Sequence, residues 1–331
     1  MSFLAHAAAR AAFVALLLVP FAHAARADTF GSGENAFSIP MVTVGDPGNA
    51  PDTTGAPNPV GAVGYTYRIG KYEVPEEAVR KANALSELAG EQLGITLDER
   101  GPQKPATGLS WFEAARFVNW LNEDAGFHAA YKFDDGPLGT GEFQLWEPTD
   151  PGFIPGNRFR NSLARYVLPS ADEWYKAAFY DPFAEVYYDY PTGSDMPPTP
   201  VMSGTDLGTA VWNQDTGPTD VVLAGGSSPY GTIGQGGNVS EWHEGPASAV
   251  PDIKSSSNLR AIRGSDWGLA VSAGGMSSLS SPADLSPKLS FSVVGFRVLT
   301  VPEPSGFGIM LAIVLLGAFI PRFASRQEHV S

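Results

Sequence analysis

The hydrophobic positions of this chain fall in short patches, and their period changes from patch to patch. Residues 37–44 are an apolar, β-rich run and predict a strand. Residues 45–61 are a Gly/Pro/Asn/Asp-rich loop. Tyr65, Tyr67 and Ile69 then alternate with Thr66, Arg68 and Gly70, a strand period that continues to Val74. Pro75 suits the first turn of a helix, and Glu76 and Glu77 suit its positive end. Val79, Ala82, Leu85 and Leu88 follow near helical spacing. Residues 105–122 are the clearest helical stretch. Ser110 is its N-cap and Glu113, three residues on, completes a capping box. Trp111, Ala114, Ala115, Val118 and Leu121 make one apolar face. Ser170 and Glu173 repeat the device before Trp174, Ala177, Ala178 and Tyr180. Residues 181–229, rich in Pro, Gly, Asp and Thr, have little period and predict a long irregular surface region. Residues 259–267 read as a strand ending in a turn, and residues 291–298 as a final strand. Helices among scattered short strands, with no internal repeat, predict an α+β fold rather than alternating βαβ units.

Both ends stand apart from this pattern. Residues 11–21 are apolar and follow Arg10, and Ala22-His23-Ala24 and Ala25-Arg26-Ala27 each offer a small-x-small cleavage site. Residues 1–27 therefore read as a secretory signal peptide, its apolar run too short for a membrane anchor. Residues 28–300 are then one domain, long enough for a sizeable core. The composition of the whole chain is globular, with 43% hydrophobic and 17% charged residues arguing against disorder. The net charge of -14 argues against nucleic-acid or anionic-membrane binding, which want basic patches. The absence of cysteine rules out disulfides and thiolate chemistry.

Residues 301–331 carry Val301-Pro302-Glu303-Pro304, an apolar segment over 305–320, then Arg322 and Arg326. Together these resemble the PEP-CTERM sorting signal of bacterial exported proteins. The resemblance implies processing by an exosortase-type membrane enzyme; the plainer reading is a C-terminal transmembrane anchor. In either reading the basic tail suits the cytoplasmic side. The expected location is the inner membrane before processing and the cell envelope or matrix afterwards.

Six internal segments carry a second resemblance. They are Tyr72-Glu73-Val74; Leu109-Ser110-Trp111 leading to Asn119-Trp120-Leu121; and Leu168-Pro169-Ser170-Ala171-Asp172-Glu173-Trp174. Then come Gly236-Gly237-Asn238-Val239-Ser240-Glu241-Trp242, Arg263-Gly264-Ser265 and Gly295-Phe296-Arg297-Val298. In this order they resemble the sulfatase-modifying-factor domain of the formylglycine-generating enzyme family. The resemblance implies one loop-rich α+β domain related to the C-type lectin fold. It also implies candidate chemistries. The family's oxidase uses copper held by cysteines downstream of the Arg-Gly-Ser motif. Residues 270–290 contain none, so copper and that oxidase mechanism are not expected here. Related sulfoxide synthases add an iron-binding helical domain with three histidines, and this chain has no such domain. The family also binds calcium at the glycine-rich motif. The pattern maps to Gly237, Val239 and Glu241, with Gly234 standing where a side-chain ligand is needed, so the calcium site is one donor short. The other reading has Asn238 and Glu241 satisfying buried backbone groups. Glu241, His243 and Glu244 make a weaker metal candidate, a surface His–Glu pair being the plainer reading, and the glycines from Gly231 to Gly237 lack the helix of a phosphate loop.

Two function classes follow. In the first, the exported domain is non-catalytic and binds a protein or glycan; Tyr187, Tyr188 and Tyr190 are an expected exposed aromatic segment. In the second it is an oxidoreductase or metal-dependent enzyme working without cysteine. Trp111, Trp242, Arg263, Ser265 and Trp267 would then line its cleft, with Arg263 holding a substrate carboxylate. A fold alone does not decide between them.

Overall fold

The computed structural model describes residues 26–247, 259–268 and 273–302. Of the expected signal peptide over 1–27, residues 1–25 lie outside the described residues, and Arg26 and Ala27 stand in the first strand; of the expected sorting tail over 301–331, residues 303–331 lie outside them, as does the expected span over 305–320. Among the described residues no helix is long and apolar enough to cross a membrane.

The chain opens with strand β1 (Arg26–Phe30), pairs it with β2 (Phe37–Val44), and continues to β3 (Tyr67–Gly70). Alternation decides which face of β2 is inward: Phe37, Ile39 and Met41 are buried while Ser38 is exposed. Helix α1 (Glu76–Leu88) follows, then α2 (Trp111–Asp124), the short strand β4 (Tyr166–Val167) and α3 (Ala171–Phe179). The C-terminal part supplies β5 (Ser240–Trp242), β6 (Arg260–Arg263), β7 (Ala283–Leu285), β8 (Val294–Gly295) and β9 (Leu299–Thr300). They form two sheets. The first is antiparallel, in the order β1-β2-β3-β9-β4. The second has the order β7-β6-β5-β8, with β5 and β8 parallel. Elsewhere among the described residues only two-residue strands and short 3-10 turns interrupt the loops. This is the α+β, loop-rich architecture expected.

The core lies between the first sheet and the helices. Phe37 stacks on Phe117 and Trp120, with ring centroids 6.4 and 5.9 Å away, and Phe117 meets Phe296 edge-on at 5.6 Å. Trp242 is fully buried within this cluster. Trp174, Tyr175 and Phe179 of α3 form a second, smaller cluster.

Four local expectations change. The strand begun at Tyr65 ends at Gly70, and Val74 instead donates to Phe296 and accepts from Ala106. Pro75 is the N-cap of α1, not a first-turn residue, and Leu88 at the far end is exposed. Residues 105–110 are extended rather than helical: Pro105 bridges Pro75, and the capping box holds Ser110 outside α2. Residues 291–298 are not one strand. The chain leaves the second sheet at Gly295 and enters the first at Leu299. That crossover carries Arg297 into the molecule's centre.

Candidate functional site

The glycine-rich motif and the Arg263–Trp267 turn are built into each other. Gly237 N–H donates to the Gly264 carbonyl at 2.7 Å, and Trp267 N–H donates to the Asn238 carbonyl at 3.1 Å. Gly237 has φ +94°, and a Cβ there would lie 2.3 Å from the Val211 carbonyl oxygen, so only glycine fits. Asn238 has φ 58°, a conformation asparagine tolerates better than most residues. Its side chain accepts from Thr219 N–H at 2.9 Å and donates to Glu73 Oε1 at 3.0 Å.

Glu241 lies beneath this turn. Arg297 donates through Nε to Oε2 and through Nη2 to Oε1, both at 2.6 Å, and Trp174 Nε1 adds a bond to Oε2 at 2.7 Å. Arg297 also donates to the carbonyls of Gly70 and Ile233. Neither member of the pair is exposed. This bidentate geometry does not fit the calcium reading of Gly237, Val239 and Glu241. A calcium ion bound to this carboxylate would compete with three N–H donors and face a guanidinium. Among the described residues no group of three or more His, Asp or Glu side chains is arranged to hold a metal. Both sequence readings therefore meet a third outcome: Asn238 does satisfy a backbone group, whereas Glu241 serves an ion pair.

A carboxylate that the sequence reading did not assign sits beside Gly234. Glu73 is 1% exposed, and a Cβ on Gly234 would lie 2.7 Å from either of its oxygens. Glycine is therefore what makes room for Glu73. Its Oε2 has no protein partner. Burial pushes the Glu73 carboxyl up to about 8, with Arg297 opposing the rise and Glu241 adding to it.

A second ion-pair network joins α3 to the loop that carries Arg160. Arg160 Nε donates to Glu244 Oε1 at 2.6 Å, and its Nη1 and Nη2 donate to the two oxygens of Glu173 at 3.0 and 2.8 Å. Tyr65 donates to Glu173 Oε1 at 2.5 Å, and Tyr131 to Glu244 Oε1 at 3.2 Å. Asn157 Nδ2 donates to Glu244 Oε2 at 2.7 Å. Glu173 also closes the capping box of α3, so one side chain caps a helix and pairs with a buried arginine. Over this network opens a cavity of about 420 Å³. Tyr65, Ile154, Asn157 and Arg160 line it, and Val301 and Pro302, at the end of the described chain, complete its wall.

Residues 48–301 match the sulfatase-modifying factor enzyme 1-like domain. The chain belongs to that family. Two solved structures agree in fold. CarF aligns over 80% of this chain and 99% of its own, with a TM-score of 0.58 and 20% identity. The Treponema denticola variable protein 1 covers 83% of this chain and 99% of its own, with a TM-score of 0.52 and 18% identity. PvdO from Pseudomonas aeruginosa aligns over 83% of this chain and 98% of its own, with a TM-score of 0.48 and 18% identity. No curated protein sequence matches the chain.

Within this sulfatase-modifying-factor domain the expected cleft residues have different surroundings, Trp242 being fully buried in the main core. Trp111 is fully buried, donates to the His243 carbonyl at 2.8 Å, and is covered by Arg260 at 4.3 Å. Arg263 is 5% exposed and binds carbonyls, not an acid: those of Ala56, Ser277 and Ser278. It packs over the Tyr175 ring at 4.9 Å. Ser265 has φ 66° and a buried, unpartnered Oγ. Trp267 lies 4.9 Å from the Arg100 guanidinium. His243 is buried beside Trp174, and burial, assisted by Arg263, lowers it to about 3, so it is neutral. The surface His–Glu reading of Glu241 and His243 fails, since both are buried and Glu241 binds Arg297 instead. The tyrosines of 187–190 are half-buried, and Tyr187 Oη donates to the carbonyls of Ala50 and Gly61. That is loop packing.

Proposed function

We propose that this chain is an exported, non-catalytic binding domain of the sulfatase-modifying-factor family, with the cavity beside Tyr65 and Arg160 as its ligand site. One observation carries the reading. The family-signature carboxylate, Glu241, is bound on both oxygens by Arg297 and lies inside the core, whereas the Tyr65 cavity is open. The missing cysteines support the same reading, because a soft copper site needs thiolates. A pocket of this size with apolar walls and a few fixed polar groups suits binding. The signal segment and the Pro302-Glu303-Pro304 tail support export, exosortase-type processing, and a protein or glycan partner at the envelope or matrix.

The test is a cavity-filling variant. Ile154→Trp and wild-type chains are compared by ligand-observed NMR against a panel of short peptides and oligosaccharides. The proposal expects ligands that bind wild type and are lost in the variant. Binding that is indifferent to Ile154→Trp would move the site elsewhere.

A further inference from the structure

The irregular stretch that follows α3 has a charge pattern of its own. No lysine or arginine stands between Lys176 and Lys254, while residues 181–220 carry seven aspartates and glutamates. Large apolar side chains also come to the surface there. Met202 and Leu207 are 63% and 82% exposed, and Val222 and Leu223 are 40% and 38% exposed. Backbone contacts set the segments that carry them side by side. Gly204 N–H donates to the Leu223 carbonyl at 2.9 Å, and Gly225 N–H donates to the Gly204 carbonyl at 2.8 Å. A Cβ on Gly226 would lie 3.1 Å from the Leu207 Cα. Single exposed apolar residues are ordinary on a protein surface; four on adjoining segments mark an interaction surface.

The charges around this patch decide what fits it. Two bases approach from the loop before α2, and each meets an acid: Lys104 pairs with Asp220 at 3.2 Å, and Arg100 lies 3.5 Å from Asp98 while covering Trp267. Asp206, next to Leu207, is exposed and makes no ion pair among the described residues; the same holds for Asp195 and Asp215. The uncompensated charge of the stretch is therefore negative. A second copy of this chain, with its net charge of -14, would set like charge against like, as would an anionic lipid surface.

We infer that this patch docks a cationic amphipathic polypeptide segment. Its apolar side chains lie on Met202, Leu207, Val222 and Leu223, and its lysines or arginines face Asp206 and the unpaired acids of the same stretch. The patch shares no residue with the lining of the Tyr65 cavity, so it is a second site and stands apart from that reading.

The test uses the full chain and three fluorescent peptides. The first is made of leucine and lysine with an apolar helical face, the second has glutamate in place of lysine, and the third is a shuffled leucine–lysine sequence without the face. The expected result is a saturable anisotropy change for the first, about tenfold weaker binding of the shuffled peptide, and none of the glutamate peptide. Affinity for the first should fall as salt is raised. Met202→Ser with Leu207→Ser should weaken it about tenfold or more, and Asp206→Lys about fivefold or more. These side chains are exposed, so both variants should keep the wild-type melting temperature. No binding of the first peptide overturns the inference. Equal binding of the glutamate or shuffled peptide overturns it as well, as does binding indifferent to both variants. Binding lost in Ile154→Trp but kept in Met202→Ser with Leu207→Ser moves the segment to the Tyr65 cavity and overturns the patch. A wild-type dimer seen by light scattering and lost in Leu207→Ser assigns the patch to a second copy and overturns it too.

Discussion

Glu241 and Arg297 hold the centre of this molecule as a pair, and their separation in sequence hides it. They lie 56 residues apart, on a short strand and on a crossover between sheets. Their two parallel bonds compensate a desolvation that neither charge could bear alone. Glu241→Gln leaves the Arg297 guanidinium buried without the carboxylate that pairs with it. The expected loss is about 3–5 kcal/mol, read by urea unfolding. Because that carboxylate is already bound, millimolar calcium should leave the melting temperature of the wild-type chain unchanged. A saturable rise lost in Glu241→Gln would restore the calcium reading. Glu73 gives a pH signature. In the unfolded chain it ionises near 4.5, whereas in the folded chain it holds its proton up to about 8. Between those values the folded state binds more protons, so its stability falls as pH rises. The melting temperature of wild type should therefore fall relative to that of Glu73→Gln from about pH 5 to 8, then run parallel above. A constant difference across that range would contradict the assignment.

At the scale of elements, the helices were the most legible part of the sequence. Ser110 with Glu113 and Ser170 with Glu173 mark their own helix starts, and both capping boxes form. The two boxes should differ in energy. Ser110→Ala is expected to cost about 1 kcal/mol, the usual value of an N-cap. Glu173→Gln weakens a cap and a buried ion pair together and should cost about 3 kcal/mol or more, by the same unfolding measurement. The strands were legible where they alternate, as in Phe37–Val44, and misleading where burial is two-sided. Residues 294–298 are buried throughout because the chain passes there from one sheet to the other, and periodicity does not distinguish that from a single strand. Pro75 and Pro105 misled in another way. Each occupies an extended bridge, a pairing that only the tertiary fold creates.

At the scale of the whole molecule, the family motifs were readable in order, and their meeting place was not. The glycine motif, the Arg263 turn and the Arg297 crossover come together through backbone bonds and one ion pair, which spacing along the chain does not reveal. Arg160 carried no local signal at all, since it lies in an irregular loop, and its partner Glu173 was already explained as a cap. Trp111 looked like a cleft residue because aromatic side chains serve both cores and ligand sites. Its burial decides the matter. In the resulting picture the inherited motif region is the buried centre of the domain, and the proposed site is the cavity beside Tyr65.

The most direct test of that picture is an oxidation assay. The purified full-length chain is supplied with copper(I) and oxygen and incubated with a cysteine-containing peptide, and aldehyde formation on the peptide is followed by mass spectrometry. A closed, cysteine-free centre predicts no aldehyde above the protein-free control. Aldehyde that accumulates with turnover and disappears in Glu241→Gln would contradict it.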